Sequence, residues 1–170
     1  MIRPAKNKDL ELLMPIYAAA RRWMCENNNP TQWAGGYPTR ELLESDLKKG
    51  QLYVCERAGR LCGAFVLAEG EEPTYAVIEN GAWKNDLPYA TIHRVASDGR
   101  ERGIFAECLA FCRGRWDTLR IDTHFDNHIM QRLIETGGFS RCGVIHVEDG
   151  SPRIAYQWTK SEKQEGENDS

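Results

Sequence analysis

The chain has 170 residues, 41% of them hydrophobic and 28% charged, with 22 Lys and Arg against 25 Asp and Glu. That length fits a single domain with a true apolar core, and a net charge of −3 argues against nucleic acid, whose phosphates require a broad basic surface. No apolar run approaches the roughly 20 residues of a membrane span, and the opening Met1 to Asp9 lacks the apolar centre of a secretory signal, so a cytoplasmic protein with no membrane partner is expected.

Ile2–Pro4 reads as a short strand. A helix capped by Asn7 or Asp9 follows, with Leu10, Leu13, Ile16, Tyr17 and Ala20 at helical spacing through Trp23. Cys25–Pro38 is rich in Asn, Pro and Gly and long for a connection, a property of functional loops. It carries Trp33 and Tyr37, aromatics that a polar spacer does not need. Thr39 caps a second helix, Arg40–Lys48.

Leu52–Glu56 and Leu61–Ala68 form a hairpin across Arg57-Ala-Gly-Arg60, and Thr74–Glu79 is expected as a third strand of the meander. After a loop, Tyr89–Ala96 is a further strand. It runs into Ser97–Gly103, a polar loop with two glycines and two arginines, and then into a helix. Phe105, Cys108, Leu109, Cys112 and Trp116 share one stripe of that helix, with Ala106, Ala110 and Phe111 on its other faces, so it is expected to be buried all round.

Thr118–Thr123 alternates as a strand, and His124–Asn127 is a turn with Asp126 as cap. Ile129, Met130, Leu133 and Ile134 stripe a last helix closed by Gly137-Gly138. Phe139–Val147 and Arg153–Thr159 pair across the turn Glu148–Pro152. Residues 161–170 are acidic and polar and are expected to be disordered, leaving 1–160 as the domain. This order predicts an α+β fold: a mixed, mostly antiparallel central sheet flanked by helices, with the strands Tyr89–Ala96 and Thr118–Thr123 parallel through a right-handed crossover.

Six cysteines, Cys25, Cys55, Cys62, Cys108, Cys112 and Cys142, sit in apolar elements and read as reduced and mostly buried. Cys108 and Cys112 have the spacing of half a metal site, but no second pair accompanies them, so no metal is expected.

The loop before Gly103 carries the chemistry. The first N–H groups of a helix lack partners and bear the positive end of its dipole, so a phosphate can take those bonds where side chains do not block it. Gly103 clears that approach, and Arg100 and Arg102 add charge. A lone strict glycine, without Gly-x-Gly-x-x-Gly or Gly-Lys-Ser/Thr, does not suit a dinucleotide or nucleoside triphosphate.

The run Arg100-Glu-Arg-Gly103-Ile-Phe105, followed by Asn127 through Leu133, Glu135, Gly138 and Phe139 in the next helix, resembles the GNAT superfamily of N-acetyltransferases over Ile2 to about Thr159. The first motif departs at Phe105, where the family has Gly or Ala. The resemblance implies acetyl-CoA in a gap where the two parallel strands splay. The diphosphate then lies on backbone N–H groups of Glu101, Arg102, Gly103, Ile104, Phe105 and Ala106. Arg100 and Arg102 are alternative partners of the ribose phosphate. The pantetheine arm runs beside Val95, and Asn127 lies near the thiol.

It further implies direct acetyl transfer to a primary amine, on a small molecule or a peptide, and homodimers are a family habit. A binding module for acyl-CoA without turnover is the alternative. Family members place an acidic Tyr four residues before the Gly of Gly138-Phe139; here that residue is Ile134, leaving water, Tyr156 or Tyr89. His93 and His124 are candidate bases near the ends of central strands, alongside Asp122. Trp33, Tyr37 and Glu79 are candidate acceptor contacts, the aromatics covering an apolar or cationic group.

Overall fold

The computed structural model describes residues 1–161; the expected disordered tail lies, from 162 on, outside the described residues. The elements in chain order are β1 (Ile2–Pro4), α1 (Leu10–Glu26), α2 (Arg40–Lys48), β2 (Leu52–Arg57), β3 (Arg60–Glu69), β4 (Ala90–Ser97), α3 (Ile104–Arg113), β5 (Thr118–Thr123), α4 (His128–Thr136), β6 (Ser140–His146) and β7 (Pro152–Thr159). The seven strands form one mixed sheet in the order β1-β2-β3-β4-β5-β7-β6, with β4 and β5 the parallel pair.

Local signals explain most of the boundaries. The β2–β3 turn has positive φ at both central residues, Ala58 at 50° and Gly59 at 73°, the geometry that matches strand twist in a two-residue hairpin. Thr39 Oγ1 accepts the Leu42 N–H at 3.2 Å and starts α2. Gly137-Gly138 closes α4, where the Phe139 N–H reaches the Ile134 carbonyl at 3.3 Å.

Each face of the sheet buries its own core. Leu13, Tyr17, Leu43, Val54 and Val66 lie under α1 and α2. Phe65, Ile92, Cys108, Leu119, Ile121 and Ile134 lie on the opposite face under α3 and α4.

Several expectations are corrected. Thr74–Glu79 is not a strand: it opens as a 3-10 turn, Pro73–Tyr75, and meets the sheet only where Glu79 bridges Val144 on edge strand β6. Pro73 has no N–H for a ladder, and the Glu72 carboxylate takes the Thr74 N–H instead. Asp9 does stand at the cap position of α1, but its carboxylate accepts the Lys6 N–H at 2.7 Å, across the short turn Asn7–Asp9, rather than an amide of α1 itself. The cap of α4 is Asn127, not Asp126; its Oδ1 accepts the Met130 N–H at 3.0 Å. Helix α3 is buried on one face only. Ala106 and Ala110 face solvent, where their small side chains cost little, and the helix closes at Gly114, short of Trp116. Of the α4 stripe only Ile134 is fully buried, while Ile129 and Leu133 are exposed. Five cysteines are buried and Cys25 is exposed.

One irregularity shapes the sheet centre. Between Ala64↔Ala96 and Val66↔His93, β4 carries one residue more than β3, a bulge. Arg94 within it has φ 50°, a left-handed conformation that bulky residues rarely adopt. Its guanidinium grips the buried Asp46 carboxylate of α2 at 2.7 and 2.9 Å, and its carbonyl accepts the Tyr17 hydroxyl of α1 at 2.8 Å. Removing one member of a buried pair strands the other charge, at about 3–5 kcal/mol. Asp46→Ala is therefore expected to lower unfolding free energy by about 3 kcal/mol, read as the urea midpoint at constant m-value; an unchanged midpoint contradicts this role.

Candidate active site

The ladder between β4 and β5 ends at Thr91↔Arg120, and beyond it the two strands diverge. The bulge at Arg94 falls on the open part of β4, so the edge around Val95 is not paired with β5. At the same end of the sheet, α3 begins behind Gly103, whose φ of 76° favours glycine. No side chain caps the helix, and its first backbone bond is from the Glu107 N–H to the Gly103 carbonyl. A Cβ placed on Gly103 would meet nothing within 4 Å, so the space in front of the first amides is open. Phe105 is 8% exposed and packs into the core beneath α3, leaving its backbone N–H at the helix start.

The loop acids are neutralised from the β2–β3 hairpin. Arg60 pairs with Asp98 at 2.7 Å and Glu101 at 3.3 Å; Arg57 pairs with Glu101 at 3.3 Å and Glu107 at 2.9 Å, and also bonds the Arg102 carbonyl at 3.0 Å. Arg57 and Arg60 read from the sequence only as turn flanks, yet they brace the anion loop. Arg100 is 70% exposed and lies 3.9 Å from Asp98, leaving most of its donors free. A groove of about 840 Å³ borders this loop, and the six Lys and Arg on its walls, Arg100 among them, outnumber its three acids, Asp9, Glu56 and Asp98.

His93 lies on β4 just past the divergence, its Nε2 3.2 Å from Glu72 Oε2. That bond holds the Glu72 carboxyl down at about 2, against an ordinary 4.5. Asp122 lies on β5 across the gap and accepts the Tyr75 hydroxyl at 2.6 Å. The Tyr75 ring links the two sides, with its centroid 6.5 Å from that of His93. Burial, reinforced by the Asp122 and Glu72 charges, drives the Tyr75 phenol well above its usual range, so it stays a donor. Glu72 and Tyr75 went unnoticed in the sequence because an irregular segment presents them.

His124 is committed elsewhere. Its Nδ1 accepts the Asp126 N–H at 3.0 Å within the β5–α4 turn, and its Nε2 contacts Thr31 Oγ1 of the α1–α2 loop at 3.2 Å, so both ring nitrogens are engaged. Burial, then the Arg153 charge, lowers its pKa. Asn127 caps α4 and donates Nδ2 to Gln32 Oε1 at 2.9 Å, tying the α1–α2 loop to the mouth of the gap. Trp33 is 9% exposed and packs against Tyr17 in a tilted arrangement, ring centroids 5.8 Å apart, an anchor of the same loop. Tyr37 sits beside it, with its hydroxyl 3.1 Å from Arg94 Nη1. Glu79 is exposed and bridges Val144 of edge strand β6, with β5 and β7 between that strand and the gap. The Cys108 thiol, hydrogen-bonded to Cys55 and buried, is pushed well up and is not a nucleophile.

No family model matches the sequence, and no curated protein matches it. Solved structures do. An acetyltransferase of the GNAT family from Streptococcus agalactiae superposes with a TM-score of 0.86 at 28% identity, over 95% of this chain and 96% of that one. A GNAT-family acetyltransferase from Listeria monocytogenes gives 0.69 at 20% identity, over 94% of each chain. A ribosomal-protein-alanine N-acetyltransferase from Brucella melitensis gives 0.62 at 21% identity, over 94% and 99%. The last two show the shared fold. The first favours an enzyme over the acyl-CoA-binding module.

A carboxylate with a depressed pKa stabilises the fold above its unfolded value and stops doing so as pH falls through the folded one. Between pH 4.5 and about 2 the wild type is therefore expected to lose more stability than Glu72→Gln. Urea midpoints measured across that window test this, and parallel losses contradict the His93–Glu72 bond.

Proposed function

We propose that this chain is an acetyltransferase of GNAT type that carries acetyl from acetyl-CoA directly to a primary amine, with residues 1–160 acting as one domain. The observation that carries the reading is the uncapped start of α3 beside a gap that opens in the sheet. The backbone N–H groups from Glu101 to Ala106 hold the diphosphate, with Arg100 and Arg102 adding charge, and Phe105 contributes its amide while its ring stays in the core. The unpaired edge of β4 at Val95 aligns the pantetheine arm, and Asn127 fixes the turn at the thiol end.

Acetyl-CoA supplies a thioester carbonyl. The amine must lose a proton to attack it, since an alkyl amine with a pKa of about 10.4 is mostly protonated at neutral pH. His93 takes that proton, oriented by Glu72. The amide of Val95 faces the carbonyl oxygen and stabilises its developing charge. As the new C–N bond forms and the C–S bond breaks, the thiolate takes a proton from water. Ile134 is fully buried and can donate none, and the buried Tyr156 hydroxyl is directed to Glu135 at 3.3 Å.

Gly103→Val puts a branched side chain into the open space before the amides, and its left-handed backbone costs about 1–3 kcal/mol. CoA affinity, by isothermal titration, is expected to fall at least tenfold while circular dichroism stays native. Unchanged affinity removes the loop from the cofactor site.

A further inference from the structure

Among the described residues, eight acidic side chains are not exposed. Six of them face an arginine: Asp9 and Glu56 share Arg3, Asp46 holds Arg94, Asp98 holds Arg60, and Glu101 and Glu107 hold Arg57. The remaining two, Glu72 and Asp122, have no Lys or Arg within 4.0 Å, and they flank the gap between β4 and β5. Half-buried carboxylates without a cation are costly, and here they are concentrated at one place.

Three further observations bear on that place. Glu72 has only His93, so even an imidazolium leaves Asp122 without a cation. Arg120 on the same strand does not supply one: its guanidinium is held 4.0 Å over the rings of Trp83 and Tyr89 and bonds Gln157 and Asn85. Thr91, two residues before His93 and so on its face of the strand, has a buried hydroxyl with no partner.

Resting on the acetyl-transfer reading, we infer that the acceptor is a cationic amine without a carboxylate next to its amino group, an alkylamine, aralkylamine or diamine rather than an α-amino acid. Its ammonium lies against Glu72 and Asp122, with the Tyr75 ring as a cation-accepting wall. An α-carboxylate would face the same two anions and be repelled.

Matched pairs test this: tyramine against tyrosine and cadaverine against lysine, assayed as CoA thiol released from acetyl-CoA by wild type, Glu72→Gln and Asp122→Asn. Both variants keep their hydrogen bonds to Thr74 and Tyr75 and are expected to fold. The wild type is expected to favour the decarboxylated member at least tenfold in kcat/KM, and each variant to narrow that ratio. Equal or better use of the amino acids, or a ratio unmoved in both variants, overturns the inference and leaves acetyl transfer standing.

Calorimetry of cadaverine with the CoA-loaded protein reads the cation site without turnover. Binding weakened roughly tenfold by Asp122→Asn supports it, that being the size of one charged hydrogen bond; binding that is absent or unaffected overturns it. Tight cadaverine binding with no amine acetylated takes down the acetyl-transfer reading and keeps the cation site.

Discussion

The grip of Arg94 on Asp46 is the constraint on which the rest of the site depends. A non-glycine residue at φ 50° persists only where its surroundings over-determine it. Here α2 supplies the carboxylate, α1 the Tyr17 hydroxyl and the α1–α2 loop the Tyr37 hydroxyl. Three separate segments thus hold one bulge in place. The bulge turns the open half of β4 away from regular pairing and leaves a free backbone edge where the parallel strands part.

Charge is then distributed by face and end. Arginines from the β2–β3 hairpin neutralise the acids of the loop before α3, so the helix start and the neighbouring groove offer a positive field to an anion. Across the sheet, Glu72 and Asp122 stand without an arginine. On the proposed reading, an anionic cofactor and a cationic acceptor meet opposite potentials. The Asn127 side chain donates to Gln32 and ties the α1–α2 loop to the mouth of the gap.

Most of the strands, the parallel pair and the glycine at the helix start were legible in the sequence because they rest on short-range signals: alternation, turn chemistry, and a glycine before an apolar helix. Phe105 was readable for the same reason, since an amide can serve while its ring turns inward. The partner of His93 was not. Glu72 lies in an irregular segment without periodicity, and only the fold brings it to His93. Thr74–Glu79 misled because its β-branched and aromatic residues imitate a strand, while Pro73 and the Glu72 side chain divert its backbone. Arg57 and Arg60 were hidden by their place in a turn, and the service of Trp33 as an anchor depends on Tyr17, which is distant in sequence.

The most direct test is a crystal structure of the protein with CoA. The account predicts the diphosphate within hydrogen-bond distance of backbone nitrogens between Glu101 and Ala106, with the pantetheine running along β4 beyond Thr91 and its sulfur toward His93. A nucleotide bound elsewhere, with its sulfur remote from the parting strands, would contradict it.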